Sequence, residues 1–103
     1  MVSEIINTQI YNLVGDIGGT NARFALMVPG KSELTNIKAL SCLEFETVQE
    51  AIQSYLSSIN KVKISSCCIA SAGTTHLDVF KPANNDWVIN KVDVSSALND
   101  VKV

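Results

Sequence analysis

The chain of 103 residues contains one histidine, His76, so no His-based metal centre can be assembled from it. Its three cysteines (Cys42, Cys67 and Cys68) show no metal-ligand spacing, and an odd number makes a disulfide framework a poor reading. Buried free thiols in a reducing cytoplasm fit better. Cys67 and Cys68 are neighbours in an expected strand and point to opposite faces; both read as small core residues. Basic residues are few and scattered: Lys and Arg total 8 against 10 Asp and Glu, a net charge of -2. No Lys/Arg cluster exists to engage a phosphate backbone or an anionic lipid surface, so nucleic acid and membrane are not expected partners. No apolar run approaches the ~20 residues of a membrane span. The start, MVSEIINTQI, lacks the basic opening and apolar stretch of a secretory signal, which again points to the cytoplasm.

What the chain does have is apolar residues, 47% against 17% charged, the balance of a folded domain and not of a disordered segment. Residues 1–9 read as an N-terminal extension, and residues 10–103 as one small domain. Ile10 to Ile17 reads as a strand, buried on both faces near its end. Asn21 to Val28 reads as a second, with Phe24, Leu26 and Val28 on one face and Ala25 and Met27 on the other. PGKSE at 29–33 is a turn, and Leu34 to Cys42 a third, more polar strand. Short connections make these three an antiparallel meander.

At Val48 the period changes. Val48, Ala51, Ile52, Tyr55, Leu56 and Ile59 recur at helical spacing behind a T-x-x-E capping box, Thr47 with Glu50, which predicts a helix over 48–58. Gln49, Glu50, Gln53, Ser54 and Ser57 form its solvated face. The strand ISSCCIASAG at 64–73 follows, and a strand–helix–strand crossover predicts parallel pairing with the first strand. His76 to Phe80 and Asp86 to Ile89 are short strand candidates around the turn KPANN. Val94 to Leu98 reads as one helical turn or more. Val101 to Val103 opens a further strand where the chain stops, the pattern of a fragment. Further strands are expected beside the first.

Between the first two strands stands LVGDIGGTNAR. Gly15, Gly18 and Gly19 reach positive φ without the ~1 kcal/mol or more that a side chain brings, so a tight turn here can aim successive N–H groups at one anion. Thr20 adds a hydroxyl. A carboxylate beside such a nest repels phosphate unless a cation lies between, and Mg²⁺ suits Asp16 directly or through water. The loop is neither G-x-x-x-x-G-K-[ST] nor G-x-G-x-x-G, and a strand follows it where a dinucleotide fold needs a helix. Turn chemistry alone fits an ordinary hairpin equally well.

VGDIGGTNARFAL resembles the phosphate-1 loop of the sugar-kinase, heat-shock-protein and actin superfamily. More narrowly it resembles the opening of bacterial-type glucokinases, G-D-[IV]-G-G-T-N-x-R, here Gly15, Asp16, Ile17, Gly18, Gly19, Thr20, Asn21 and Arg23. LEFETVQEAIQSYL is similar to that family's first helix, CIASAG to its next strand, and ANNDW at 83–87 to its T-N-x-x-W segment, with Asn84 and Trp87 in register. Thr74 departs from the family's Pro. The resemblance implies an α/β, ribonuclease-H-like N-terminal subdomain of the actin-like ATPase fold, with a mixed sheet, a three-strand meander and a crossover helix. It implies an intact protein that phosphorylates glucose with ATP and Mg²⁺, as a cytoplasmic homodimer, with Gly15, Asp16, Ile17, Gly18, Gly19 and Thr20 binding ATP and Asp16 serving the metal. The family's catalytic Asp lies in an I-N-D-F motif expected beyond Val103, so residues 1–103 alone should be inactive. Asn99-Asp100 precedes the last strand and lacks the Phe; it reads as a turn. A related sugar or N-acetyl-hexosamine kinase, or a non-catalytic nucleotide-binding module, would carry the same loop.

His76 reads as a surface or strand-edge residue, Trp87 as a packing residue with its indole N–H satisfied, and Lys61, Lys63 and Lys81 as solvated charges. Arg23 fits a phosphate contact or a pairing with a local carboxylate.

Overall fold

The computed structural model describes residues 9–59 and 62–103. Residues 1–8 of the expected extension and Lys61 fall outside them, and Gln9 already belongs to the first strand. Strands β1 (Gln9–Ile17), β2 (Asn21–Met27) and β3 (Leu34–Ser41) form the expected meander. Helix α1 (Val48–Ser57) crosses over, and β4 (Val62–Ser71) returns parallel to β1. The sheet order is β3-β2-β1-β4.

Alternation decides which face is covered. Leu13 and Ile17 of β1, Ala22, Phe24 and Leu26 of β2 and Cys67 of β4 all point to one side. There they meet Val48, Ala51, Ile52 and Tyr55 from α1. The other side of β1 is open: Asp16 is exposed and Val14 only half-buried, so the expectation of burial on both faces fails. Ile10 on that side is also exposed, although the small Ala25 opposite Val14 is covered. Cys68 is exposed while Cys42 and Cys67 are buried, which corrects the reading of Cys68 as a core residue.

The capping box forms with a one-residue offset. Thr47 Oγ1 accepts from the Glu50 N–H at 3.2 Å, but Glu50 Oε1 accepts from the Glu46 N–H at 2.9 Å instead of from the cap residue. Gln49, expected in solvent, is half-buried, with its Oε1 lacking a partner.

After β4 the chain departs from expectation. β5 (Gly73–His76), β6 (Val79–Pro82) and β7 (Ile89–Asn90) form a separate antiparallel sheet and do not add beside β1. β1 has two edges, and β2 and β4 occupy both. The predicted strand His76–Phe80 is broken by a hairpin tip at Leu77-Asp78. Two-residue hairpin loops usually advertise a glycine or asparagine at the strained position. Here Leu77 holds it, at φ 56°, so the turn was unmarked. The predicted strand Asp86–Ile89 shrinks to Ile89 and Asn90. Asn90 then caps α2 (Lys91–Ala97), accepting from the N–H groups of Val92 and Asp93 at 2.8 and 3.3 Å. Asn99 and Asp100, at φ 64° and 63°, are a turn as expected. Lys102 bridges in parallel to Ser66 on the outer edge of β4, in keeping with a further strand at 101–103.

Two buried protons give this core a testable pH response. Burial pushes the Tyr55 phenol up to about 12, and its O–H donates to the Asn36 carbonyl at 2.7 Å. Burial first, and the adjacent Cys68 second, push the Cys67 thiol up to about 12. Both groups hold their protons more tightly folded than unfolded. Their contribution is therefore fully present below pH 9 and is lost as the pH rises toward 12. Denaturant midpoints should fall across that window, and more shallowly in Cys67→Ala.

Candidate functional site

The glycine loop sits where β1 hands over to β2, at the carboxyl end of the parallel pair β1 and β4. Ser71 Oγ, from the end of β4, donates to the Ile17 carbonyl at 2.9 Å and ties the two strand ends together. The six expected residues divide by location. Gly15 and Ile17 are built into the sheet and buried. Asp16, between them, emerges on the open face. Gly18, Gly19 and Thr20 form the exposed loop itself.

The glycines serve a purpose other than the expected one. None of Gly15, Gly18 and Gly19 adopts positive φ; the glycine that does is Gly30, at φ 84°. Space is tight at Gly15 and Gly19, whereas a Cβ on Gly18 would meet the Asn21 carbonyl oxygen at an ordinary 3.4 Å. A Cβ on Gly15 would lie 3.1 Å from the Phe24 ring, and one on Gly19 would lie 3.2 Å from the Asn84 carbonyl oxygen. Nor do all loop N–H groups converge on one point. The Gly18 N–H closes the hairpin onto the Asn21 carbonyl at 2.8 Å. The N–H groups of Gly19 and Thr20 donate to nothing else among the described residues. The Thr20 hydroxyl accepts from Asn21 Nδ2 at 3.4 Å, which leaves its own proton available.

Asp16 has Arg23 as its cross-strand partner on β2, both exposed, so the strand Arg lies beside a carboxylate and not inside the loop. Among the described residues no group of three or more His, Cys, Asp or Glu side chains could enclose a metal. A lone exposed carboxylate fits the mode in which Mg²⁺ takes one protein ligand and fills its shell with water and nucleotide phosphates.

Sequence reasoning missed the loop's surroundings. A cavity of about 490 Å³ lies beside it, with Gly19 and Thr20 on one wall and Glu46, Asn84, Asp86 and Trp87 on others. Two bonds hold the loop to those walls. The Asn85 Nδ2 amide donates to the Gly18 carbonyl at 3.0 Å, and the Cys42 N–H donates to the Thr20 carbonyl at 2.8 Å. Trp87 is buried with its indole N–H on the Phe45 carbonyl at 3.0 Å, as expected of a packing residue. His76 is exposed at the end of β5, as expected. The similarity of ANNDW to a family segment was the available signal, but it carried no information that this segment touches the loop 67 residues upstream.

A glycine hairpin at the end of a β3-β2-β1-β4 sheet, with a crossover helix on one face, defines the class: the sheet half of a sugar kinase with the actin-like ATPase fold. Solved structures share this fold. A glucokinase from an Antarctic psychrotroph superposes with a TM-score of 0.79 at 28% identity, covering 89% of this chain and 30% of that one. A structure described as a putative sugar kinase from Cytophaga hutchinsonii shares the fold, with a TM-score of 0.62 at 18% identity over 90% of this chain. The glucokinase family model matches residues 13–103, and the chain belongs to that family. It is 42% identical over 88 residues to the glucokinase of Hahella chejuensis, covering 85% of this chain. It is 43% identical over 81 residues to that of Pseudomonas aeruginosa. The chain spans 27% of the length of the first relative and 24% of the second. No helix among the described residues is long and apolar enough to cross a membrane.

Proposed function

We propose that the intact protein transfers the γ-phosphoryl group of ATP to glucose, and that residues 10–103 supply the N-terminal part of its small domain, which holds the nucleotide phosphates. The observation that carries this reading is the Gly18–Thr20 loop, with two N–H donors unspent and a single carboxylate, Asp16, on the adjoining open face. In phosphoryl transfer the protein mostly positions groups and neutralises charge. The N–H groups of Gly19 and Thr20 and the Thr20 hydroxyl donate to β- and γ-phosphate oxygens, and Gly15 and Ile17 anchor the loop in the sheet. Asp16 would hold Mg²⁺, directly or through water, and the ion when bound would neutralise phosphate charge. The base that takes the sugar proton is assigned to a residue beyond Val103, and Asn99-Asp100, the turn after α2, is not proposed for that role. A second domain would supply the rest of the sugar site, in a cytoplasmic homodimer.

Calorimetric titration of the chain with Mg·ATP tests the loop. Binding is expected in the parent and strongly reduced in Gly19→Val, whose side chain would press on the Asn84 carbonyl 3.2 Å from Cβ. Binding that survives this change would place the nucleotide elsewhere. With glucose added, the 103-residue chain should form no glucose 6-phosphate.

A further inference from the structure

We propose that Asn85 is a positioning residue: a clasp that fixes the peptide between Gly18 and Gly19 and so sets the direction of the Gly19 N–H. A peptide unit is planar, with its C=O and N–H on opposite sides. Holding the Gly18 carbonyl therefore aims the Gly19 N–H. This peptide is flanked by two glycines and is the softest rotor in the loop. The backbone bonds around it do not restrain that rotation. Gly18 N–H to Asn21 belongs to the peptide before it, and Cys42 N–H to the Thr20 carbonyl belongs to a peptide beyond it. The Asn85 amide, 3.0 Å from the Gly18 oxygen, is what remains to hold it.

Asn85 is itself held. Its Oδ1 accepts from the Trp87 N–H at 2.8 Å, so reversing the amide would set N–H against N–H at one end and oxygen against oxygen at the other. Trp87, 4% exposed, is in turn fixed in the core through its indole bond to Phe45. A side chain in the small second sheet region thus transmits the rigidity of the core to one of the two unspent loop donors beside the cavity, the Gly19 N–H.

The test uses the full 103-residue chain, labelled with ¹⁵N. Asn85→Asp keeps the size and the acceptor for Trp87 but turns an oxygen toward the Gly18 carbonyl; Asn85→Ala removes both bonds. Both should lower the Gly19 N–H order parameter from the rigid range near ~0.85 to below ~0.6. Melting midpoints should stay within about 4 °C of the parent. Asn85→Gln, which keeps the donor, should restore much of the order. Because the phosphate role rests on the proposed function, Mg·ATP affinity is read separately and should fall roughly three- to tenfold in Asn85→Asp. A parent chain that binds no nucleotide would refute the functional reading while the order parameters still decide the clasp. Unchanged Gly19 order in both Asn85→Asp and Asn85→Ala would overturn the clasp, whatever the affinity.

Discussion

Phe24→Ala should destabilise the chain by ~3–5 kcal/mol, the range for deleting a large buried ring without collapse of the space around it. The Phe24 side chain is 1% exposed at the centre of β2. It stacks at 5.5 Å against Tyr55 of α1, tilted by 35°, and covers Gly15 of β1. One ring therefore joins the helix, the meander and the strand that leads into the glycine loop. A chain of about 100 residues often has only ~5–15 kcal/mol of stability in total, so this single change should leave a measurable unfolded population at room temperature. Urea denaturation followed by tryptophan fluorescence reports it through Trp87. A loss under ~1 kcal/mol would mean that α1 does not depend on this contact.

Asp16→Asn should lower Mg·ATP affinity by roughly tenfold or more, the worth of one charge-assisted contact. The informative part is the sign without the metal. If a cation separates Asp16 from the phosphates, then in excess chelator the parent carboxylate repels ATP, and the Asn variant should bind the bare nucleotide as well as the parent or better. Titrations with and without Mg²⁺ give both numbers. Equal losses under the two conditions would remove Asp16 from the metal and make it a structural residue of β1. Because Asp16 is exposed, the substitution leaves no buried group unpaired, and folding should be little affected.

How much of this could be read beforehand differs by element. β1, β2, α1 and the parallel return of β4 were legible because each buries one face and so prints its period in the apolar residues; β3, exposed along most of its length, was marked instead by the PGKSE turn before it. Phe24 and Leu26 alternate, and Val48, Ala51, Ile52 and Tyr55 recur as a helix must. The second sheet was not legible. Its strands are four, four and two residues long, too short to print a period, and its tightest turn is occupied by Leu77 where a glycine would have marked it. The loop was found, but the reason for its glycines was misassigned. Positive φ is a property of the residue and can be guessed, whereas the nearness of Phe24 to Gly15 and of Asn84 to Gly19 is a property of the packing.

The sequence by itself determined the class of fold, the place of the phosphate-type loop and the family to which the chain belongs. Local periodicity, a cap and a short motif are all written in consecutive residues. Only the tertiary structure decided which N–H groups of the loop remain free, that β5 to β7 leave the main sheet, and that Asn85 reaches Gly18. Those depend on which edges and faces are already occupied when distant segments meet, and no stretch of sequence records that.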